Sequence, residues 1–210
     1  MAVLRIDASI QGPASASSEL ADLAEAEWTT VRPETDFVRR HLGASPLPAD
    51  AWATVVHANF TPEDQRTDEQ RTAVALARQL AAELRDADAA ILALPFYNYG
   101  VSQHVKTWVD LVLAGTDPSE KLLGGKPVIV LTTRGGSYAP GSPREGWDHN
   151  TAYLRTIVQD LWGGDLTMIE REFTLAGVNP VLDQFIETGE LMKKAAHEAA
   201  LHAGRTLAAR

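Results

Sequence analysis

Residues 89–95 read Ala89-Ala90-Ile91-Leu92-Ala93-Leu94-Pro95. An unbroken apolar run of this length is typical of a strand that is buried on both faces, as in the middle of a parallel sheet. Pro95 has no backbone N–H to donate to a neighbouring strand, so it ends the run. We therefore predict a central parallel strand over 89–94, followed by a loop that begins at Pro95.

Further strands and helices alternate along the chain on either side of this segment. Short aliphatic or β-branched runs predict strands over 3–6, 36–40, 127–131 and 166–173. Helical spacing and composition predict helices over 49–59, 62–86, 101–114, 151–162 and 183–210, and a first helix that begins at Ser17 as its N-cap. Strands that alternate with helices in this way indicate an α/β fold with a doubly wound parallel sheet and helices on both faces.

Five predicted strands, with long loops after three of them, favour the flavodoxin-like order over a six-stranded dinucleotide-binding domain. The chain shows no internal repeat and no low-complexity linker, so we predict a single domain over 1–210. The N-terminal residues 1–7 lack the basic flank and long apolar stretch of a signal peptide, and we expect a cytoplasmic protein.

The composition excludes several classes of function. The formal net charge of −9 argues against a nucleic-acid partner, and no apolar run approaches the roughly 20 residues of a membrane span. The chain has no cysteine, which excludes disulfides, thiolate metal sites and a cysteine nucleophile. His197 and His202 are five residues apart and diverge on a helix, so we predict no metal site there.

A loop rich in serine and glycine follows the first predicted strand, over residues 9–18. Hydroxyls and free N–H groups at the start of a helix suit a phosphate group. The loop has neither the Gly-Lys-Ser/Thr run of a nucleotide P-loop nor a Gly-x-Gly-x-x-Gly turn. Residue types alone also allow a simple helix cap in a flexible loop.

Two more loops are predicted to lie at the same edge, because the carboxyl ends of parallel strands meet there. Residues 95–100 carry three aromatic side chains, which suit the face of a planar ligand. Residues 133–138 contain two adjacent glycines, which allow the backbone to approach a ligand closely. Aromatic packing against a helix or a second subunit, and a turn without a ligand, are the alternatives.

These segments resemble a known family. Residues 94–99, 102–106 and 110–112 are similar to the P-M-Y-N-F…L-K-x-x-x-D segment of FMN-dependent NADH:azoreductases and the related quinone reductases. Residues 133–136 resemble the S-R-G-G turn of that family, and 153–156 its P-Y-L helix. Ser9 and residues 15–17 fall where the family has the serines of its phosphate loop.

The resemblance implies FMN as cofactor and NADH or NADPH as electron donor. It assigns the FMN phosphate to the side chains or backbone of Ser9, Ser15, Ala16 and Ser17. It places Pro95, Phe96, Tyr97, Asn98 and Tyr99 along the flavin ring, with Asn98 near one polar edge. It places Thr133, Arg134, Gly135 and Gly136 at the other polar edge of the ring. Asn98 and Tyr138 are the candidate catalytic residues, since both could orient an electron acceptor. The resemblance also implies a homodimer in which the partner subunit completes the flavin site.

The implied activity is reduction of quinones, azo compounds or related electron-poor aromatic compounds by two-electron, ping-pong hydride transfer through flavin N5. The alternatives are a specialised reductase of one biosynthetic intermediate, a non-catalytic FMN electron carrier and an interaction protein whose dimer surface is its function. Residues 114–121 are shorter than the corresponding family loop and carry no aromatic residue. We therefore hypothesise a pocket that is more open than in the family, or lined by Trp52, Phe60, Tyr138 or Trp162.

Overall fold

The computed structural model describes every residue from Met1 to Arg210. Its main sheet contains five strands, β1 (Ala2–Asp7), β2 (Asp36–His41), β3 (Ala89–Ala93), β6 (Pro127–Thr133) and β7 (Asp165–Arg171). A separate antiparallel hairpin is formed by β4 (Phe96–Tyr97) and β5 (Gly100–Val101). The order in the main sheet is β2-β1-β3-β6-β7 and every pairing is parallel, which confirms the predicted flavodoxin-like α/β fold.

Helices cover both faces of this sheet. They are α1 (Ala16–Val31), α2 (Ala51–Ala58), α3 (Asp68–Asp86), α4 (Gln103–Ala114), α5 (Thr151–Arg155) with a π-helical continuation over Thr156–Leu161, and α6 (Ile186–Ala208). Successive strand residues alternate between two cores: Ile91 packs with α1 and α6, whereas Leu92 packs with α2, α3, α4 and α5. The central strands are apolar throughout because both of their faces are covered. None of the helices combines the length and the apolar character needed to cross a bilayer.

The starts of three helices differ from the sequence-based boundaries because capping side chains set them. The helix predicted over 62–86 begins at Asp68, where Thr67 and Gln70 form a reciprocal capping box. The helix predicted from 101 begins after Ser102, whose hydroxyl accepts the Val105 N–H. Ser15, and not Ser17, is the N-cap of α1, since the Ser15 hydroxyl accepts the N–H of Ser18.

The long C-terminal helix also begins later than predicted. Residues Pro180–Phe185 form a 3₁₀ helix, and the α-helical hydrogen bonding begins at Ile186. Asn179 caps this turn by accepting the Val181 N–H with its side chain. The segment between β7 and α6 is therefore an ordered connection at the carboxyl edge of the sheet.

Trp162 does not line a ligand pocket, and that part of our hypothesis is wrong. Its indole ring is buried and meets Trp108 of α4 edge-on, with ring centroids 5.4 Å apart. The hydrogen-bond spacing of the preceding π-helical turn, with the Trp162 N–H donating to the Ile157 carbonyl, brings the ring to this position. Trp162 is therefore a core residue of the α4–α5 face.

Candidate functional site

A cavity of about 620 Å³ opens at the carboxyl ends of β1, β3 and β6. This is the edge where ligands bind in open α/β sheets. The structure brings most of the predicted site residues into its wall, namely Ser9, Ser15, Ala16, Pro95, Phe96, Tyr97, Asn98, Thr133, Gly135, Gly136 and Tyr138. Ser17, Tyr99 and Arg134 do not line it, and neither do Trp52 and Phe60.

One end of the cavity is the start of α1. The hydroxyls of Ser15 and Ser17 lie 3.2 Å apart, and Ser17 is buried behind Ser15. The backbone N–H groups of Ala16 and Ser17 find no acceptor within the protein. Free N–H groups at the positive end of a helix dipole attract an anion. This end therefore has the donors that a phosphate group requires, without a cationic side chain.

The loop after β1 is held in place from two sides. The hydroxyls of Ser9 and Tyr97 lie 3.0 Å apart and share a hydrogen bond, and the Gln11 N–H donates to the Ser9 hydroxyl. On the other side, a Cβ atom added at Gly43 would lie only 2.1 Å from the Ser9 carbonyl oxygen. The absence of a side chain at Gly43 thus allows the loop to pack closely, and Tyr97 ties it to the aromatic segment.

The β4–β5 hairpin forms an aromatic wall of the cavity. Its two turn residues, Asn98 and Tyr99, have φ values of 47° and 70°. Left-handed conformations at both positions are those of a type I′ turn, which a bulky residue adopts only at a cost. The turn directs the Tyr99 ring outward, 5.7 Å from Trp147 and 6.4 Å from Tyr138 between ring centroids. Phe96 and Tyr138 are 4.6 Å apart, so the hairpin and the loop after β6 pack together.

The opposite wall is backbone. The N–H groups of Gly135 and Gly136 find no acceptor within the protein. A Cβ atom added at Gly136 would have a single neighbour within 4 Å, the Arg144 Nη1 atom at 3.8 Å. The glycine therefore leaves its backbone accessible from the cavity. Two free donors at this end suit the carbonyl and nitrogen edge of a heteroaromatic ring.

Arg134 turns away from the cavity and anchors the loop behind it. Its buried guanidinium lies 2.6 Å from Asp148 and 3.1 Å from Glu170. Burial alone would lower the pKa of Arg134, but the hydrogen bond and charge of Glu170, with the charge of Asp148, raise it above its usual value. Burial likewise opposes ionisation of Asp148, yet hydrogen bonds from Thr151 and Asn150 and the Arg134 charge lower the pKa of this carboxyl.

Sequence reasoning missed one whole side of the cavity. The connection between β7 and α6 contributes six lining residues, Thr174, Leu175, Val178, Asn179, Val181 and Leu182. The Thr174 N–H donates to the Arg134 carbonyl, and the Leu175 N–H to the Gly135 carbonyl, which holds the connection against the glycine loop. Its position after the last parallel strand was the available signal, since that strand ends at the same edge. Gln11, Ala14 and Arg144 were missed as well.

These residues fit FMN. The start of α1 offers unpaired N–H groups and a serine hydroxyl to a phosphate, and the glycine loop offers two unpaired N–H groups to a ring edge. Phe96, Tyr97 and Tyr138 supply apolar surface for the ring between these two ends. The cavity lies within the ordinary size of cofactor sites, which is about 300–1,000 Å³.

Known proteins share both the sequence and the fold. Residues 1–175 match a family described as having a flavodoxin-like fold. An FMN-dependent NADH:quinone oxidoreductase of Frankia alni is 39% identical over 206 residues, which cover 96% of this chain and 97% of that protein. A protein of the same name from Streptomyces avermitilis is 35% identical, with 99% of this chain and 97% of that protein covered.

Solved structures show the same architecture. An azoreductase from Bacillus anthracis superposes with a TM-score of 0.79 at 20% identity, covering 98% of this chain and 99% of that one. An FMN-dependent NADH-azoreductase from the same species, solved in complex with FMN, superposes with a TM-score of 0.72 at 15% identity, covering 97% and 99%. Fold and site thus define a flavodoxin-like protein. Within that class, the chain belongs to the family whose curated relatives are named FMN-dependent NADH:quinone oxidoreductases.

Proposed function

We propose that this chain is an FMN-dependent NADH:quinone oxidoreductase. The observation that carries the proposal is one cavity with free N–H donors at both ends. The start of α1, whose donors suit a phosphate, lies at one end, and the loop of Gly135 and Gly136 lies at the other. Aromatic side chains lie between the two ends. The names of the relatives supply the electron donor and the acceptor class.

The residues divide the work by position. Ser15 and the N–H groups of Ala16 and Ser17 would hold the phosphate, and Gly135 and Gly136 would donate to the ring edge where negative charge develops on reduction. Bound FMN would supply the two-electron redox chemistry by accepting and passing on a hydride. The protein would bind and orient the ring and limit the access of water to it.

Asn98 and Tyr138 are the residues that we propose to orient the acceptor. Both line the cavity, and the Phe96–Tyr138 contact fixes one side of the Tyr138 ring. No proton donor is needed on either residue, because solvent can protonate the product. Donor and acceptor would bind alternately at this cavity, as a ping-pong reaction requires.

A homodimer is part of the proposal. The cavity mouth carries apolar side chains that a second copy of the chain could cover, with Val178 and Val181 exposed by 74% and 76%. Large apolar side chains side by side at a mouth are typical of an interface. Sedimentation velocity tests this directly, and a monomer at micromolar concentration would contradict it. Val178→Asp is the matching variant, and we expect it to shift the protein toward monomer.

The test of the activity uses the purified chain reconstituted with FMN. We expect a yellow protein that oxidises NADH when a neutral benzoquinone is present. A protein that takes up no FMN would overturn the proposal at the cofactor. A yellow protein with negligible quinone-dependent NADH oxidation would instead indicate an electron carrier.

A further inference from the structure

The cavity wall contains a single charged side chain, Arg144. Every other lining residue is neutral, in a chain whose formal net charge is −9. Arg144 lies in the loop between β6 and α5, outside the segments that match the family motifs. The proposed function gives Arg144 no role, although it is the one charged side chain in the cavity wall.

The Arg144 guanidinium lies beside Tyr138 and Gly136, at the end of the cavity formed by the glycine loop. Its central carbon lies 5.8 Å from the Tyr138 ring centroid, and its Nη1 atom lies 3.4 Å from the Tyr138 hydroxyl oxygen. The same nitrogen is the nearest atom to the Cβ position of Gly136. Stacking on an aromatic face leaves the N–H groups at the edge of the guanidinium free to bind a planar anion.

No carboxylate lies within salt-bridge distance of this arginine. Arg134 pairs with Asp148 and Glu170, and Arg171 pairs with Glu19, but Arg144 forms no salt bridge. Its side chain is also exposed, so it lies at the mouth and not beneath a bound ring. A cation in this position would contact a substituent of a bound ligand that extends out of the cavity, and not the ligand's ring inside the cavity.

We propose that Arg144 recognises an anionic group on a ligand whose planar ring enters the cavity. The proposal rests on the proposed function and deepens it. The chemistry is that of a carboxylate, sulfonate or phosphate oxygen pair, which a guanidinium binds through two parallel N–H groups. The anion has two possible sources: a substituent on the electron acceptor, or the diphosphate of the nicotinamide donor. The phosphate at the start of α1 is not a third, because α1 supplies its own donors at the opposite end of the cavity.

The test measures each half-reaction of the FMN-loaded protein separately. The acceptors are a matched pair, 1,2-naphthoquinone and its 4-sulfonate, and the donor is NADH. For Arg144→Gln, we expect the ratio of second-order rate constants, sulfonated to neutral quinone, to fall about tenfold, the usual scale for a hydrogen-bonded charge. Arg144→Lys keeps the charge without the fork and should recover part of the loss. Arg78→Gln, which removes an exposed arginine from α3, is the control and should keep the parent ratio.

A binding measurement gives a readout besides turnover. The parent and Arg144→Gln are each titrated calorimetrically with a naphthalenesulfonate and with naphthol. We expect the variant to bind the sulfonate more weakly than the parent does, and naphthol with the same affinity. If the NADH half-reaction slows while the quinone ratio holds, the dinucleotide is the source of the anion and the proposal stands. Equal quinone ratios, equal NADH rates and equal sulfonate affinities in parent and Arg144→Gln would overturn it. A parent that binds the sulfonate through Arg144 but reduces no quinone would overturn the proposed function alone.

Discussion

Ser15 both caps a helix and lines the cavity. It ends the loop after β1, accepts the Ser18 N–H as the cap of α1 and lies beside the unpaired N–H groups of Ala16 and Ser17. A cap satisfies one of the donors at a helix start and leaves the others free. Ala16, one of the two residues whose N–H group is left free, lines the cavity.

We expect Ser15→Ala to have two separable effects. Loss of the cap should lower the free energy of unfolding of the apoprotein by about 1 kcal/mol. Loss of a hydroxyl donor to a phosphate should weaken FMN affinity by about tenfold. Urea unfolding measures the first effect and quenching of FMN fluorescence the second. Ser18→Ala is the control, since the Ser18 hydroxyl has no hydrogen-bond partner and does not line the cavity. Equal FMN affinities for the two variants would contradict the role of Ser15.

At the scale of elements, the β4–β5 hairpin carries the strain of the site. Two consecutive residues other than glycine, Asn98 and Tyr99, occupy left-handed conformations. Asparagine tolerates this region better than most residues, whereas tyrosine does so only when its surroundings compensate. Contacts of the Tyr99 ring with Tyr138 and Trp147 provide that compensation.

Because Asn98 has a left-handed conformation, we expect two substitutions at this position to differ in their effect on the free energy of unfolding. Asn98→Gly fits the left-handed turn and should leave the free energy of unfolding within about 0.5 kcal/mol of the parent. Asn98→Ala should destabilise the protein by about 1 kcal/mol, because alanine is strained there. Urea unfolding distinguishes the two. If Asn98 orients the acceptor, quinone turnover falls in both variants, even though only one of them is strained.

The loop between β6 and α5 depends on an ionised carboxylate. Asp148 accepts the Asn150 and Thr151 N–H groups and pairs with Arg134, and its pKa in the folded protein is lowered. A lowered folded pKa contributes stability above the unfolded value of about 3.9, and this contribution disappears as the pH falls through the folded pKa. Tyr138 and Arg144 belong to the same loop and line the cavity, so the order of this loop affects the cavity mouth.

Asp148→Asn should therefore change how stability depends on pH. At neutral pH we expect a loss of about 1 kcal/mol, kept small because the carboxylate is partly hydrated. As the pH falls from about 5 to about 2, the parent should lose stability more steeply than the variant, so that their difference narrows. Urea midpoints across this range measure it, with Glu34→Gln at an exposed turn as control. A constant difference at every pH would be the contrary result.

At the scale of the whole molecule, α1 and α6 pack tightly over one face of the sheet. A Cβ atom added at Gly204 of α6 would lie 2.1 Å from the Ala24 carbonyl oxygen in α1. The glycine allows the helix backbones to meet without intervening side chains. Because α1 begins at one end of the cavity, this contact also fixes where the free N–H groups point.

We expect Gly204→Ala to destabilise the protein by about 2 kcal/mol, since the clash is with backbone atoms that cannot move independently. This is the reverse of the gain of about 1 kcal/mol that alanine brings to an exposed helix position. Thermal unfolding checks the sign. Gly189→Ala in the same helix is the comparison, because its added atom would have its nearest neighbour at 3.3 Å. A stabilised Gly204→Ala protein would show that the helices can separate at no cost.

Much of the fold could be predicted because its signals are local. The apolar run over 89–94 requires cover on both faces, and Ala93 is indeed fully buried. Helix starts were harder, since Ser15 and Ser17 are equally good caps by residue type and only the backbone conformation selects Ser15. The same limit explains the late starts of α3 and α4, where the cap and not the composition sets the first residue.

The sequence by itself determined the parallel sheet, its five strands and the edge at which the three predicted loops meet, because apolar periodicity and strand direction are encoded residue by residue. Only the tertiary structure decided which side chains face the cavity. In the folded protein, Arg134 points away from the cavity and pairs with Asp148, whereas Arg144 lies at the cavity mouth. The connection after β7 forms a further side of the cavity wall. The physical reason is that loop side chains take their direction from partners far away along the chain, and no local pattern encodes those contacts.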